Sequence, residues 1–290
     1  MFVVSVGLLI ASIAALSVWG LNLGVDFPGG SIAELEFSER PSVAALTDAL
    51  ATLDIPALHE VSVSPSGEHG MIIRTGQLTE EEHQKVLAGV RKVFPGAVVT
   101  EARFDSIGPA VGAELKSKSI SGIVILLAAV LLYIAWMFRT LSRSLSLWAM
   151  SAGTVLGLAH DIIIPMGLFA VLGHFMGVQV TGIFVAAVLT ILGYTVSDKV
   201  VIYDRVRENL LRGSKEPLAD LVHRSIMQTL VRSINNTLVV ILSSLSVFLF
   251  GGESIKYFAL ALMVGIGLGA YSSIFVAAPL LVWFGRHQRR

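Results

Sequence analysis

The chain has 290 residues, 54% hydrophobic and only 14% charged, with a mean hydropathy of +0.77 and a formal net charge of zero. Soluble globular chains of this length are not so apolar, so the sequence reads as a polytopic membrane protein. Cysteine is absent, which excludes disulfides and thiolate metal sites.

Six stretches, 2–21, 119–138, 147–172, 181–203, 234–250 and 257–284, are long and apolar enough to cross about 30 Å of hydrocarbon as transmembrane helices. The fifth is short unless it begins before Asn235, which would bring Arg232 into the helix. Lys and Arg in the short loops orient the bundle. Arg139 and Arg143, then Arg205, Arg207, Arg212, Lys215 and Arg224, then Arg286, Arg289 and Arg290 fall on one side, against Lys256 alone on the other. The expectation is a multi-pass protein with both termini cytoplasmic and the first large loop external.

The first span opens at Met1 without a basic flank, the pattern of a retained signal anchor rather than a cleaved peptide. Directly after it stands Asp26-Phe27-Pro28-Gly29-Gly30. Pro28 fixes φ and the glycines permit positive φ, so the helix ends there and the chain turns sharply. Asp26 fits either an ordinary solvated turn or a functional position.

The external segment, 31–118, is of different composition. Ala33, Leu35 and Phe37 alternate with Glu34 and Glu36 as a half-buried strand does. Val43, Leu46, Leu50 and Leu53 recur at helical spacing behind Pro41. Strands are expected over 58–63 and 71–74, joined by a turn at 64–67. Thr79 and Glu82 form a capping box for a helix carrying Val86, Leu87, Val90 and Phe94, and 97–104 supplies the last strand. The order β-α-β-β-α-β is that of a ferredoxin-like domain. With 8 basic and 13 acidic residues the segment is mildly acidic, which argues against nucleic acid as a partner. Gly108-Pro109, in the run that leads back to the bilayer, implies a bend that serves as a hinge or as a passive linker. Three parts result: 1–30 with the first helix and its turn, 31–118 as the external domain, and 119–290 with helices two to six and the cytoplasmic loops.

His160 and Asp161 lie near the middle of the third span, about 18 Å of helix beyond Trp148. A lone His is commonly a packing residue, but an adjacent carboxylate at membrane depth favours function. No further His or carboxylate follows at ligand spacing, so no metal or cofactor is expected. Gly153/Gly157 and Gly265/Gly269 are GxxxG pairs, read as packing contacts.

In the fourth span Thr190, Tyr194, Ser197 and Asp198 form one polar stripe. A charge at a helix centre in lipid costs about 2.5–3.5 kcal/mol, so Asp198 must face protein or water. Lys199 follows it, and Arg232, Asn236 and Ser243 share a face of the fifth span. Because spans four and five run antiparallel, an Asp198–Arg232 pair is geometrically possible. The alternative is that Arg232 and Lys199 snorkel to the cytoplasmic headgroups.

The run from Gly193 to Asn209, GYTVSDKVVIYDRVREN, resembles the fourth transmembrane segment of the SecD/SecF family, accessory subunits of the bacterial Sec protein translocase. Asp26 to Gly30, Gly108 to Leu115, His160-Asp161, Thr229 to Ser233 and Phe250 to Gly252 resemble the same family, in the right order over nearly the whole chain. The family belongs with the resistance-nodulation-division type of transporters. The resemblance implies that Asp198 and Arg232 handle protons, supported by Tyr194, His160, Asp161, Asp204 and Arg205, with Asp26, Phe27, Gly29, Gly30, Gly108 and Pro109 as motif and hinge. It implies a bacterial inner (plasma) membrane location, SecD and the SecYEG channel as partners with YajC/YidC-type accessory proteins, and a translocating preprotein as the load. Two departures stand out: Ser197 where Asn is frequent, and Lys199 where a small or apolar residue is frequent.

Arg does not deprotonate, so Arg232 would act by approaching or leaving Asp198. No Gly-x-x-x-x-Gly-Lys-Ser/Thr loop is present, so ATP is not the direct energy source, and no covalent catalytic set is identifiable. Two other classes stay open: half of a proton-coupled exporter of lipid or drug, and a structural scaffold of a translocon.

Overall fold

The computed structural model describes residues 2–59, 61–139, 147–214 and 216–286. Arg143, Lys215, Arg289 and Arg290, used above for orientation, lie outside the described residues. The chain divides into two units, Leu23–Ser119, and Met1–Asn22 together with Ile120–Arg290.

The Leu23–Ser119 unit contains β1 (Gly30–Phe37), α2 (Val43–Ala51), a 3₁₀ turn (Pro56–Leu58), β2 (Ser62–Ser66), β3 (Gly70–Thr75), α3 (Glu80–Val93) and β4 (Val99–Ile107); α1 (Phe2–Val18) belongs to the other unit. The strands form one antiparallel sheet in the order β2-β3-β1-β4. Alternation along β1 puts Ala33, Leu35 and Phe37 into a core shared with Leu46 and Leu50 of α2, Met71 and Ile73 of β3, and Val86, Leu87 and Val90 of α3. Ser42 caps α2 through its side chain, and Thr79 and Glu82 close the reciprocal capping box of α3.

The hairpin differs from expectation. Pro65 lies inside β2, and the turn follows it at 67–69, where Gly67 takes φ 56°. Proline is tolerated because β2 is an outer strand, whose missing N–H costs no central ladder bond. Leu58 belongs to the 3₁₀ turn rather than to a strand.

Gly29, at φ 86°, completes the turn ahead of β1, and Gly30, at φ 144°, opens the strand. The helix α4 (Pro109–Met137) starts immediately after Gly108, with proline in its first turn where a missing N–H is harmless. A Cβ at Gly112 would lie 2.5 Å from the Phe27 carbonyl oxygen, and one at Gly29 would lie 2.9 Å from Pro109. The two motifs recognised separately in the sequence therefore pack against each other, with backbone touching backbone.

The second unit holds α1 (Phe2–Val18), α5 (Leu147–Met176), α6 (Gly182–Leu211), α7 (Leu218–Phe250), α8 (Glu253–Ser272), a π turn (Ser273–Ala277) and α9 (Ala278–Arg286), along with most of α4. Five helical stretches, Pro109–Met137, Met150–Met176, Gly182–Leu211, Leu218–Phe250 and Ile255–Gly285, are long and apolar enough to cross a bilayer, and Phe2–Val18 is a shorter apolar helix. The chain is a multi-pass helical membrane protein. Helix α7 begins at Leu218 rather than at 234, so Arg232 lies well inside it.

Candidate functional site

The polar centre of the helical unit is carried by α6, whose consecutive residues Asp198 and Lys199 are both buried, at 6% and 0% exposure. Consecutive side chains on a helix diverge by about 100°. Asp198 and Lys199 therefore serve different neighbours.

Asp198 faces α7. The buried stripe of α7 is made of hydroxyls, Ser225, Thr229, Ser233, Thr237 and Ser244, at the three-and-four spacing of one helix face. Ser233 and Thr237 stand next to the Asp198 carboxylate without closing a hydrogen bond of standard geometry. Farther along the same seam Asn209 donates to Ser225 Oγ at 2.9 Å and to Gln228 Oε1 at 3.0 Å, and Arg205 Nε donates to Gln228 at 2.7 Å. Of the stripe expected on α6, Asp198 is buried and Tyr194 is half-buried beside it, whereas Thr190 and Ser197 are exposed.

Arg232 is not at Asp198. It lies exposed on α7 with Asn235, Asn236 and Ser243, and Ser233 holds the inner position. The difference is a single residue, and on a helix one residue exchanges the inner face for the outer. Asp204 accepts from Arg207 Nη1 at 3.1 Å, and Arg205 also pairs with Glu208. Both pairs are local to α6.

Lys199 does not snorkel. Its Nζ donates to Asp161 Oδ2 of α5 at 2.6 Å and to Ser272 Oγ of α8 at 3.1 Å, and lies 3.4 Å from the Thr195 carbonyl oxygen. The other Asp161 oxygen lies 3.1 Å from His160 Nδ1. A carboxylate only accepts, so Nδ1 carries the hydrogen. His160 Nε2 is buried with no hydrogen-bond partner among the described residues. The His160 ring stacks on Tyr271, whose hydroxyl accepts from Ser5 Oγ of α1 at 3.1 Å. Gly157 and Gly153 make room for α6: an added Cβ would lie 2.6 Å from Lys199 Cε and 2.9 Å from the Tyr203 hydroxyl. This first GxxxG pair is thus a seat for two polar α6 side chains, a role that spacing alone does not reveal.

Sequence reasoning also missed the buried His83 of the other unit. Its Nε2 lies 2.6 Å from Glu101 Oε1 and its ring stacks on Phe104 at 3.6 Å. The only sequence signal was its place one turn before Leu87 on the inner face of α3.

Comparison with known proteins covers nearly the whole chain. The model of the SecD/SecF protein export membrane protein C-terminal region matches residues 88–287. Protein translocase subunit SecF of Anaerolinea thermophila is 33% identical over 97% of this chain and 91% of its own length. The SecF of Thermobaculum terrenum is 35% identical over 97% of this chain and 90% of its own. Protein translocase subunit SecDF of Brucella abortus is 36% identical over 93% of this chain but only 34% of its own length. The crystal structure of SecDF from Thermus thermophilus, a translocon-associated membrane protein, superposes with a TM-score of 0.83 at 29% identity, covering 99% of this chain and 37% of that one.

Proposed function

The chain belongs to the SecD/SecF family of protein export membrane proteins, and we propose that it is an accessory, non-enzymatic subunit of the Sec translocase that uses the proton motive force to promote late, outer-face steps of polypeptide export. The observation that carries this reading is Asp198. A carboxylate in the interior of a membrane-length helix, 6% exposed and faced by two hydroxyls, with no cation at ion-pair distance among the described residues, is placed to take up and release a proton in a way that a clamped ion pair is not.

The partner follows from the length comparison: the chain corresponds to about a third of SecDF proteins, and a SecD half completes the unit. The polar face of α7 with Arg232 is then the face that meets this half. A rotation of α7 by one residue, about 100°, would exchange Ser233 for Arg232 at Asp198. In this cycle Asp198 is protonated from the outside when Arg232 is away, and delivers the proton inward as the pair forms. Each proton contributes about 2.3 kcal/mol per 100 mV of membrane potential.

The load is an emerging preprotein, with the SecYEG channel and YajC/YidC-type proteins as the wider assembly. Motion reaches it through the Leu23–Ser119 unit, taken as an external ferredoxin-like domain on the strength of its element order. The contact of Phe27 and Gly29 with Pro109 and Gly112 serves as the transmitting joint. The remaining assignments are a bacterial inner membrane, Phe2–Val18 as a sixth span, and cytoplasmic termini.

The decisive experiment is Asp198→Asn co-expressed with the SecD half, reading proton-gradient-dependent release of a secreted protein on the outer side. Release should be lost while the complex still assembles. Release at the unsubstituted rate would replace the motor by a scaffold.

A further inference from the structure

Among the described residues of the helical unit two carboxylates, Asp161 and Asp198, are buried close enough to feel one another, and they are held in opposite ways. Asp161 is gripped by an ammonium at 2.6 Å and flanked by His160 Nδ1 at 3.1 Å, whereas Asp198 has the Ser233 and Thr237 hydroxyls before it and feels Lys199 only from beyond ion-pair distance. Resting on the proton-driven reading above, we propose that Lys199 is a positioning residue that clamps Asp161 as a fixed carboxylate between α5 and α8, leaving Asp198 as the one proton-exchanging carboxylate of this bundle.

The clamp is built rather than incidental. An ammonium has three hydrogens, and Lys199 Nζ has three oxygens around it from three helices: Asp161 on α5, Thr195 on α6 and Ser272 on α8. Its stem occupies space left free by the absent side chain of Gly157. Ser272 immediately precedes the π turn Ser273–Ala277, and such single-turn insertions re-aim side chains at working sites. The groups at the centre are His160 from α5 and Tyr271 from α8, with Ser5 of α1 bonded to Tyr271, and Asp198, on the neighbouring face of α6, feels the charges of both Lys199 and Asp161. The described carboxylate and ammonium at its heart cancel. Without the ammonium, Asp161 would be an isolated buried charge, which is so costly that the group takes a proton instead.

The clamp also explains how adjacent charges on one helix avoid collapsing into a single pair. Lys199 is spent on Asp161, about 100° around α6 from the face presented to α7. Asp198 can then lose and regain its proton without breaking a hydrogen bond of the α5–α6–α8 contact, while still feeling the charges of Lys199 and Asp161.

The test is infrared difference spectroscopy of protonated carboxyl groups on acidification, using the full chain with its SecD half in lipid vesicles. The first buried carboxyl band contributed by this chain should vanish in Asp198→Asn and persist in Asp161→Asn; the reverse assignment overturns the proposal. Lys199→Met should add a second carboxyl band, which Asp161→Asn/Lys199→Met removes, and should broaden the pH profile of export. A folded Lys199→Met variant with no added band overturns it too. The band assignment in the unsubstituted chain and the two Asp variants decides the matter even where Lys199→Met does not assemble. The proton-motor reading fails on a different result, unchanged export by Asp198→Asn, so the two failures are distinguishable.

Discussion

Replacing Gly157 by Ala should destabilise the helical unit, and the sign of the effect should reverse when Lys199 is absent. The added methyl carbon would sit 2.6 Å from Lys199 Cε and 3.5 Å from Ala277 Cβ. Carbon atoms pack at about 3.5–4.0 Å, so the Lys199 stem must retreat by about 1 Å. It has little freedom to do so, because its Nζ is pinned at 2.6 Å to Asp161 and 3.1 Å to Ser272. Overpacking of this kind costs about 1–3 kcal/mol. In an Asp161→Asn/Lys199→Ala background the obstacle is gone, and only the greater helix propensity of Ala over Gly remains, which favours the substitution by about 0.5–1 kcal/mol. The assay is a double-mutant cycle on the detergent-solubilised chain, unfolded by SDS in mixed micelles and followed by helicity. An equal cost in both backgrounds would refute the claim that Gly157 is a seat for Lys199.

Arg232 is exposed in the isolated chain, so Arg232→Leu should change its stability by no more than about 0.5 kcal/mol and yet abolish proton-driven export. A loss of stability of several kcal/mol would show that the residue is structural. Leu46→Ala opens a cavity in the Leu23–Ser119 unit, where Leu46 is fully buried, and should cost about 2–5 kcal/mol, seen as lost hydrogen-exchange protection of the β1 and β3 amides. Thr79→Ala removes the cap of α3 and should cost about 1 kcal/mol, read from the exchange of α3 amides. The Thr79 backbone N–H and then its hydroxyl hold the Glu82 carboxyl below the ordinary carboxylate range. A carboxyl lowered in the folded state stabilises the fold above its unfolded value, about 4.3, and loses that contribution as pH falls through the folded value. Protection of α3 should therefore decline on acidification below about pH 4.3, and Glu82→Gln should flatten the decline; an unchanged decline would assign it to another carboxyl.

What the sequence made legible was local. The capping box of α3, the alternation in β1 and the Gly-rich turn before it are each written within a few residues, and each forms as read. The hairpin turn was misplaced because Pro65 announces a turn, while its tolerance depends on β2 being an outer strand, a fact of sheet order. In the bundle the expected polar face of α7 missed the inner stripe by one residue. Ser and Thr hydroxyls can bond carbonyls of the preceding turn, as Ser225 and Thr229 do, so the stripe with Ser233 and Thr237 carries no obvious mark of an inward face, and Arg232 and Asn236 look the more polar. Nor does any local pattern connect Lys199 with Asp161 and Ser272, which are 38 and 73 residues away.

The departure at Lys199 changes meaning once its partners are known. As a neighbour of Asp198 in the sequence, it is a second charge beside the carboxylate, where the family frequently has a small or apolar residue. Placed about 100° around α6 from Asp198, it is paired with Asp161 and turned away from the face where Asp198 meets α7. The fixed pair joins α6 to α5 and α8, while the α6–α7 seam is held by hydrogen bonds from Asn209 and Arg205 to Ser225 and Gln228. Such hydrogen bonds can exchange partners at about 1 kcal/mol each, or about 1.5–3 kcal/mol where one partner is charged, whereas breaking a buried ion pair costs about 3–5 kcal/mol. On the reading of Asp198 as a proton carrier, that difference makes the α6–α7 seam the one that would rearrange, with α7 still packed closely on α8.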